Sequence, residues 1–157
     1  MIKIENAKQE YLKHCAKILM DIYNSNVLDE GWTVNSANEI CQFYFNMQSD
    51  LFFVAKSDNE IIGFTYCYIK PYPKGKALMI EELSVKEEFR KQGVGKQLLK
   101  TLVENAKLKY NVEFVNGATY NGECGMPYSW YERINFKKVE DLFLIQGTTD
   151  NILKSLK

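Results

Sequence analysis

The sequence MIEELSVKEEFRKQGVGKQLLKTLVENAKL, Met79 to Leu108, combines a strand, a turn and a helix. From Met79 to Val85, the side chains at odd positions form one set and those at even positions another, as in a strand with two different faces. From Val94 onward, apolar side chains recur at helical spacing, and lysines and glutamates fall mostly on the opposite side. The stretch therefore predicts a strand followed by a helix that packs on a sheet.

The turn RKQGVG, Arg90 to Gly95, places two glycines where the helix starts. Glycine inside a helix costs roughly 1 kcal/mol relative to alanine, so this pair indicates that the backbone must turn tightly or lie open to a ligand. The first N–H groups of a helix lack intrahelical partners and lie at the positive end of its dipole. Because Arg90, Lys91 and Lys96 add positive charge, the turn favours a phosphate or pyrophosphate.

Two other phosphate-binding motifs fit this turn poorly. A Walker A loop requires Gly at Arg90 and Ser or Thr at Gln97. A Rossmann fingerprint requires a third glycine at Leu98 and an acidic residue about 20 residues further on, where Tyr110 and Asn111 stand. An ordinary strand-to-helix turn with solvated lysines remains the alternative.

Arg90, Gly93 and Gly95 match the acetyl-CoA loop of the GNAT superfamily of N-acetyltransferases, whose pattern is Gln or Arg, two residues, Gly, one residue, and Gly or Ala. The preceding ELSVKEEFR, Glu82 to Arg90, also resembles that family. YERINF, which ends at Phe136, resembles the family's Tyr-x-x-x-Gly-Phe segment with Asn135 in place of Gly. Asn is the next best residue for a left-handed helix end, so the resemblance extends over roughly Lys76 to Ile145.

The length and composition predict one domain spanning residues 1–157. A chain of 157 residues that is 46% hydrophobic can bury one full core and is too short to suggest two. Its predicted strands and helices give a mixed α/β chain. The resemblance implies a single-domain GNAT-like α+β fold, with a central mixed, mostly antiparallel sheet flanked by helices.

The remaining elements follow from periodicity and turn chemistry. Ser36 with Glu39 three residues later predicts a capping box that opens the second helix. Pro71 to Lys76 is expected to break the strand pattern. The expected elements are a strand near Ile2 to Ile4, a helix over Gln9 to Tyr23, strands over Leu51 to Lys56, Ile61 to Ile69, Val112 to Val115 and Leu142 to Ile145, a brief helix from Pro127 to near Asn135, and a final helix within Thr148 to Lys157.

Charge and cysteine content bear on the class of partner. Twenty basic and twenty acidic side chains give a net charge of zero, which argues against nucleic acid or an anionic membrane as the main partner. Four widely spaced cysteines predict free thiols, and the only histidine, His14, lacks metal-ligand spacing to any of them. No metal is expected. The start of the chain has no hydrophobic leader, so the cytoplasm is the expected compartment.

The resemblance implies that acetyl-CoA is the cofactor. It also implies that the main chain of Leu83 and Val85 flanks the pantetheine and the acetyl carbonyl, and that residues 92–96 present N–H groups to the pyrophosphate. The residues expected to bind the cofactor are Leu83, Ser84, Val85, Arg90, Lys91, Gln92, Gly93, Val94, Gly95, Lys96, Asn121 and Tyr131.

Catalysis by such a site needs a base for the amine, a donor for the oxyanion and an acid for the thiolate. Glu81 and Glu82 are the candidate bases. Glu81 is preferred because regular alternation places it on the face of Leu83 and Val85, with Glu82 on the other. Ordered water is the alternative base. The N–H of Val85 or Leu83 is the candidate oxyanion donor, and Tyr131 matches the position where the family often keeps a tyrosine as the acid.

The expected function is transfer of an acetyl group from acetyl-CoA to a primary amine of a small molecule or peptide, by direct attack in a ternary complex. The alternative is an acyl-CoA-binding sensor or interaction module without turnover. A homodimer is left open. Asp29, Glu30 and Glu123 favour a cationic small amine as the acceptor. The acceptor wall is expected to include the loop from Asp29 to Trp32, with Tyr66, Tyr68 and the segment from Asn121 to Trp130.

Overall fold

A computed structural model describes residues 1–25, 28–120, 128–140 and 146–156 of the chain. Three short 3₁₀ turns, Gln9–Tyr11, Ser49–Leu51 and Glu87–Phe89, join some of its elements. Within the described residues, no helix is long and apolar enough to cross a membrane. The strands and helices are β1 Lys3–Asn6, α1 Leu12–Tyr23, α2 Val34–Gln48, β2 Phe53–Ser57, β3 Glu60–Tyr72, β4 Gly75–Val85, α3 Val94–Tyr110, β5 Val112–Gly117, α4 Tyr128–Glu132 and α5 Thr149–Ser155.

The described strands form one sheet in the order β1-β2-β3-β4-β5. The first three pairings are antiparallel, and β4 pairs with β5 in parallel. The parallel connection is made by α3, as a parallel pair requires a crossover. The structure confirms the expected mixed, mostly antiparallel sheet flanked by helices.

Helices cover both faces of the sheet and divide the core in two. On one face, α3 packs its Val94, Leu98 and Leu102 against β3 and β4. These side chains are at most 1% exposed, and each contributes roughly 1.5–3 kcal/mol by burial. On the other face, α1 and α2 pack on Phe52, which precedes β2, and on residues of β2 and β3 that include Val54 and Phe64. We call these clusters the α3 core and the α1/α2 core.

A β-bulge in β4 changes the direction of the side chains that follow it. Tyr66 of β3 pairs with Glu82, and the next β3 residue, Cys67, pairs with Ile80, so Glu81 is an extra residue. Such a residue interrupts the regular alternation of faces. Ile80 and Leu83 therefore both pack in the α3 core, although regular alternation would separate them.

Two differences from the sequence-based expectation concern the start of α2 and the end of β3. Helix α2 begins at Val34, and its N-cap is Thr33, with Ser36 at the third helical position completing the capping box. The expectation of Ser36 as the cap was wrong because Thr33 offers the same hydroxyl chemistry one turn earlier. The prolines at 71 and 73 do not end β3 early, because β3 runs to Tyr72 and pairs there with Gly75.

The turn after α4 has the conformation expected from YERINF. Asn135 has a φ of 69°, and the N–H of Phe136 donates to the carbonyl of Tyr131 at 3.0 Å. This is the left-handed helix end that Asn accommodates, and it holds Tyr131 and Phe136 against each other. The final helix within residues 148–157 is also present. The strand expected over Leu142 to Ile145, the start of the helix at Pro127, and Asn121, Glu123 and Cys124 lie outside the described residues.

Candidate active site

Strands β4 and β5 pair only over part of β4. Among the described residues their pairing ends at Ile80 and Gly117, while β4 continues to Val85 beside β3. The N–H of Lys86 donates to Ile62 on the β3 side. Because alternate residues of an antiparallel strand direct their backbone groups to opposite edges, the N–H groups of Val85 and Leu83 point away from β3, into the gap beyond the end of the β4–β5 pairing.

Glu82 is a buried carboxylate beside this gap, with 7% of its surface exposed. The hydroxyls of Ser84 and Tyr23 donate to it at 2.7 and 3.3 Å, and the N–H of Leu83 donates at 3.0 Å. All three donors bond to Oε1. Within the described residues Oε2 accepts no hydrogen bond, so it is the oxygen through which Glu82 can take up a proton.

Burial raises the pKa of Glu82 from 4.5 to about 6. Hydrogen bonds from Ser84, Tyr23 and Leu83 act in the opposite direction, and the negative charge of Glu30 raises the pKa further. The pKa of Glu82 in the folded protein lies above its value in the unfolded chain. The free energy of unfolding therefore falls as the pH rises from about 4.5 through 6. At pH 7 this loss is about 2 kcal/mol. A strongly perturbed carboxyl of this kind is typical of functional sites.

Glu81 has a different environment from that of Glu82. It is exposed, and the hydroxyl of Tyr44 on α2 donates to its Oε2 at 2.9 Å. Tyr44 packs against the α1/α2 core, whereas Leu83 and Val85 lie in the α3 core. The expectation that Glu81 shares their face was therefore wrong, because the bulge interrupts the alternation. The two glutamates also do not point to opposite faces, since both bond to tyrosines of the α1 and α2 layer.

Tyr131, on α4, is half-buried and has an aromatic environment. Its ring meets those of Trp130 and Phe136 edge-on, with centroids 4.9 and 5.4 Å apart. Burial raises the pKa of the Tyr131 hydroxyl to about 12, and the negative charge of Glu82 contributes in the same direction. The hydroxyl therefore keeps its proton at neutral pH, and it lies close enough to Glu82 for their charges to interact.

The turn between β4 and α3 has the geometry of an anion cradle. Gly93 caps α3 with a φ of 82°, and Lys91 also has a positive φ of 59°. Gly95 is the second residue of α3, where the N–H groups of the first turn have no intrahelical acceptor. Lys91 and Lys96 are exposed beside them. These groups fit a pyrophosphate, and they lie next to the N–H groups of β4 that point into the gap.

Several of the residues expected to bind the cofactor have other contacts in this structure. The guanidinium of Arg90 donates through Nε to the carbonyl of Val85 at 3.1 Å, which ties the turn to β4. The amide of Gln92 donates to the carbonyl of Glu88. Val94 is 1% exposed and belongs to the α3 core, and the hydroxyl of Ser84 is engaged by Glu82. These side chains hold the cradle together, and the backbone faces the gap.

The N–H of Leu83 is not available as an oxyanion donor, because it bonds to Oε1 of Glu82. Of the two donors proposed from the sequence, Val85 remains. The carbonyl of Val85 accepts a hydrogen bond from Arg90, which fixes the peptide plane between Val85 and Lys86. The N–H of Val85 points into the gap.

The loop between α1 and α2 brings a third carboxylate to the site. The amide of Asn24 holds the loop by two hydrogen bonds to the backbone of Trp32, both 2.7 Å. The indole of Trp32 donates to Oε2 of Glu30 at 2.9 Å, and the hydroxyl of Tyr120 donates to Oε1. Glu30 affects the pKa of both Glu82 and Tyr23, so it lies on the same side of the sheet as they do.

Tyr23, Tyr44 and Tyr120 hold the three carboxylates, and the sequence interpretation gave none of them that role. Tyr23 and Tyr44 fall in or beside apolar stripes, where an aromatic residue is usually core. The sequence did hold a signal for this role. A tyrosine at the end of an apolar stripe carries a hydroxyl that needs a hydrogen-bond partner. Tyr66, expected in the acceptor wall, is 2% exposed and stacks beneath Tyr44 with ring centroids 4.4 Å apart.

The single histidine and three of the four cysteines fall within the described residues. His14 is exposed on α1, and Cys15, Cys41 and Cys67 are buried free thiols. Over the described ranges, no group of three or more His, Cys, Asp or Glu side chains could hold a metal ion.

The chain is similar in structure to several solved proteins. A protein from Pyrococcus horikoshii OT3 is 27% identical with a TM-score of 0.74, over 91% of this chain and 93% of that one. A transcriptional regulator from Bacillus halodurans C-125 is 20% identical with a TM-score of 0.74, over 94% and 100%. The aminoglycoside N-acetyltransferase AAC(6')-Iy, solved with CoA, is 19% identical with a TM-score of 0.74, over 94% and 95%. At these identities the last two likenesses show the fold.

The sequence also matches a family model. Residues 13–122 match the model of the acetyltransferase (GNAT) family. This range contains the bulged strand, the glycine turn and helix α3, and the three carboxylates also fall within it. The chain therefore belongs to the acetyltransferase (GNAT) family, whose cofactor is acetyl-CoA.

Proposed function

We propose that the protein transfers an acetyl group from acetyl-CoA to a primary amine of a small molecule or peptide, by direct attack in a ternary complex. The observation that carries the proposal is Glu82, a buried carboxylate with one oxygen held by three donors and the other left to take a proton. One similar protein was solved with the bisubstrate analogue CoA-S-monomethyl-acetylneamine, which supports an amine as the acceptor. The buried thiols support a reducing compartment, for which we propose the cytoplasm.

Glu82 acts as the base in this proposal. Acetyl-CoA, when bound, supplies the acetyl group as a thioester with a reactive carbonyl carbon. An alkylammonium of pKa about 10 has no lone pair for attack, so a proton must first pass to Glu82, directly or through one water. The raised pKa of Glu82 makes it a better proton acceptor than an ordinary carboxylate, while it remains largely ionised at pH 7.

Val85 and Tyr131 provide the oxyanion donor and the acid for the thiolate. The N–H of Val85 donates to the carbonyl oxygen as negative charge develops on it. When the C–S bond of acetyl-CoA breaks, the hydroxyl of Tyr131 would supply the proton of the departing thiol. The second proton that the amine nitrogen loses on becoming an amide would return to the oxygen of Tyr131 through solvent. Lys91, Lys96 and the first-turn N–H groups of α3 hold the pyrophosphate.

Cofactor binding and turnover can be measured separately. We expect acetyl-CoA to raise the melting temperature of the protein, and CoA release to follow when a panel of primary amines is added. Gly95→Val is expected to abolish the thermal shift, because its side chain would occupy the space of the phosphates. Lys100→Val, at an exposed position of the same helix, is the control for helix propensity. A thermal shift without CoA release on any amine would instead identify a non-catalytic acyl-CoA-binding module.

Glu82→Gln is expected to lower kcat by 100-fold or more, because it removes the base. The profile of kcat/KM for the wild-type enzyme should rise with pH through about 6, and this acid limb should disappear in Glu82→Gln and persist in Glu81→Gln. Denaturation at pH 7 should find Glu82→Gln no less stable than wild type, since a neutral amide removes the cost of a buried charge. An unchanged acid limb in Glu82→Gln would rule out this base.

Tyr131→Phe is expected to lower kcat roughly 10- to 1,000-fold with little change in acetyl-CoA affinity, because it removes the acid and keeps the ring packing. Kinetics at saturating acceptor and calorimetry with acetyl-CoA measure the two quantities. Tyr72→Phe, at an exposed position at the end of β3, is the control for loss of a tyrosine hydroxyl. A Tyr131→Phe enzyme with full kcat, under conditions where chemistry limits the rate, would leave Tyr131 as a packing residue.

A further inference from the structure

Three polar or charged residues are buried among the described residues, and all three lie in or beside the bulged part of β4. They are Thr65, Glu82 and Ser84, with exposed fractions of 0%, 7% and 3%. The hydroxyl of Thr65 donates to the main-chain carbonyl of Glu82 at 2.7 Å. The hydroxyl of Ser84 donates to Oε1 of the Glu82 carboxylate at 2.7 Å. These buried polar residues therefore form one hydrogen-bonded unit around the proposed base.

One peptide bond within this unit is held at both its carbonyl and its N–H. The peptide between Glu82 and Leu83 presents its carbonyl to β3, where Thr65 donates to it. Its N–H points the opposite way, as in any trans peptide, and donates to Oε1 of Glu82 at 3.0 Å. Thr65 pairs with Leu83 in the sheet, so the register of β3 against β4 places the hydroxyl beside that carbonyl.

The orientation of this peptide also determines how the Glu82 carboxylate is held. A rotation of the peptide plane would move the Leu83 N–H away from Oε1 and leave the carboxylate with only its hydroxyl donors. Thr65 opposes that rotation, because a buried carbonyl that loses its donor is costly. Hydrogen bonds that form a chain also strengthen one another, and this chain runs from the Thr65 hydroxyl through the peptide to the carboxylate.

The hydroxyl of Thr65 is not needed for strand formation. Thr65 stands within the apolar run IIGFTYCYI, residues 61–69, where valine would offer the same branched shape and a similar strand propensity. The residue lies opposite the bulge, and a bulge disrupts the regular ladder of backbone hydrogen bonds. A side-chain donor at this place therefore fixes backbone that the ladder alone leaves less constrained.

We propose that Thr65 is a positioning residue for Glu82, and that its hydroxyl, acting through the peptide between Glu82 and Leu83, holds the carboxylate where it receives the proton of the acceptor amine. Thr65 itself takes no part in the proton transfer. This role rests on the proposed function, in which Glu82 is the base. The alternative is a buried threonine that only satisfies a neighbouring carbonyl.

Three substitutions separate the two roles. Thr65→Val and Thr65→Ala remove the hydroxyl, and we expect each to lower kcat roughly tenfold or more, because a base displaced by about 1 Å reacts far more slowly. Acetyl-CoA affinity, measured by calorimetry, should stay within about twofold of wild type, since the cofactor turn is untouched. Thr65→Ser keeps the donor and should restore kcat to within about threefold of wild type.

A ¹³C NMR titration of the Glu82 carboxyl carbon tests this role without turnover. The Leu83 N–H stabilises the ionised form of Glu82, so weakening that bond in Thr65→Val should move the titration midpoint, and the acid limb of kcat/KM, to higher pH. Thr65→Ser should keep the wild-type midpoint. The ionisable groups that interact with Glu82 are the same in every variant: Tyr23 on α1, Glu30 in the loop after it, Cys41 on α2, Tyr66 on β3 and Tyr131 on α4.

Cys67→Ala is the matched control. Cys67 lies two residues further along β3, is 0% exposed, and its thiol donates to the backbone carbonyl of Leu51 at 3.6 Å. It belongs to the α3 core and has no bond to Glu82 among those of the described residues. We expect Cys67→Ala to lower the melting temperature and to leave kcat and the Glu82 midpoint unchanged. Thermal melting of each variant checks that it is folded.

A loss of kcat in Thr65→Ser as large as in Thr65→Val, or an unchanged Glu82 midpoint in Thr65→Val, would overturn the positioning role. Acetyl transfer could still occur in that case, and CoA release by the wild type would show it. Conversely, a shifted midpoint in Thr65→Val, with no CoA release by the wild type on any amine, would support the hold of Thr65 on Glu82 and contradict the transferase. The two failures are therefore distinguishable.

Discussion

The single extra residue at Glu81 determines how the site is built. By interrupting the alternation of β4, it turns Leu83 and Val85 toward α3 and leaves Glu82 facing the tyrosine of α1. The same strand also leaves its partner β5 after Ile80. The bulge and the gap lie side by side, so the base candidate, the free strand N–H and the glycine turn all lie around one opening.

This arrangement has an energetic cost that other contacts offset. An ionised carboxylate inside a protein is unfavourable, and three hydrogen bonds to Oε1 recover only part of that cost, since the pKa of Glu82 still lies above its ordinary value. The large hydrophobic cores on both faces of the sheet stabilise the fold and offset the rest of the cost of the buried charge. Retaining such a group is reasonable only where a basic carboxylate has a use.

Much of the fold could be predicted from the sequence, because periodicity and turn chemistry are local. Helices α1 and α3, the β2–β3 hairpin and the left-handed residue Asn135 follow from spacing and residue type. The bulge could not be predicted, because it depends on the register of β3 against β4, and an error of one residue reverses every face assignment. That error led to the preference for Glu81. The roles of Tyr23, Tyr44 and Tyr120 were missed for a related reason, since each bonds to a carboxylate far from it in the chain.

Glu82 is a buried carboxylate with raised proton affinity. The most direct measurement is a ¹³C NMR titration of glutamate side-chain carboxyl carbons in the folded protein, with the Glu82 signal assigned by its absence in Glu82→Gln. We expect the Glu82 carboxyl carbon to titrate with a midpoint at about 6. A midpoint at the ordinary value of 4.5 would contradict it.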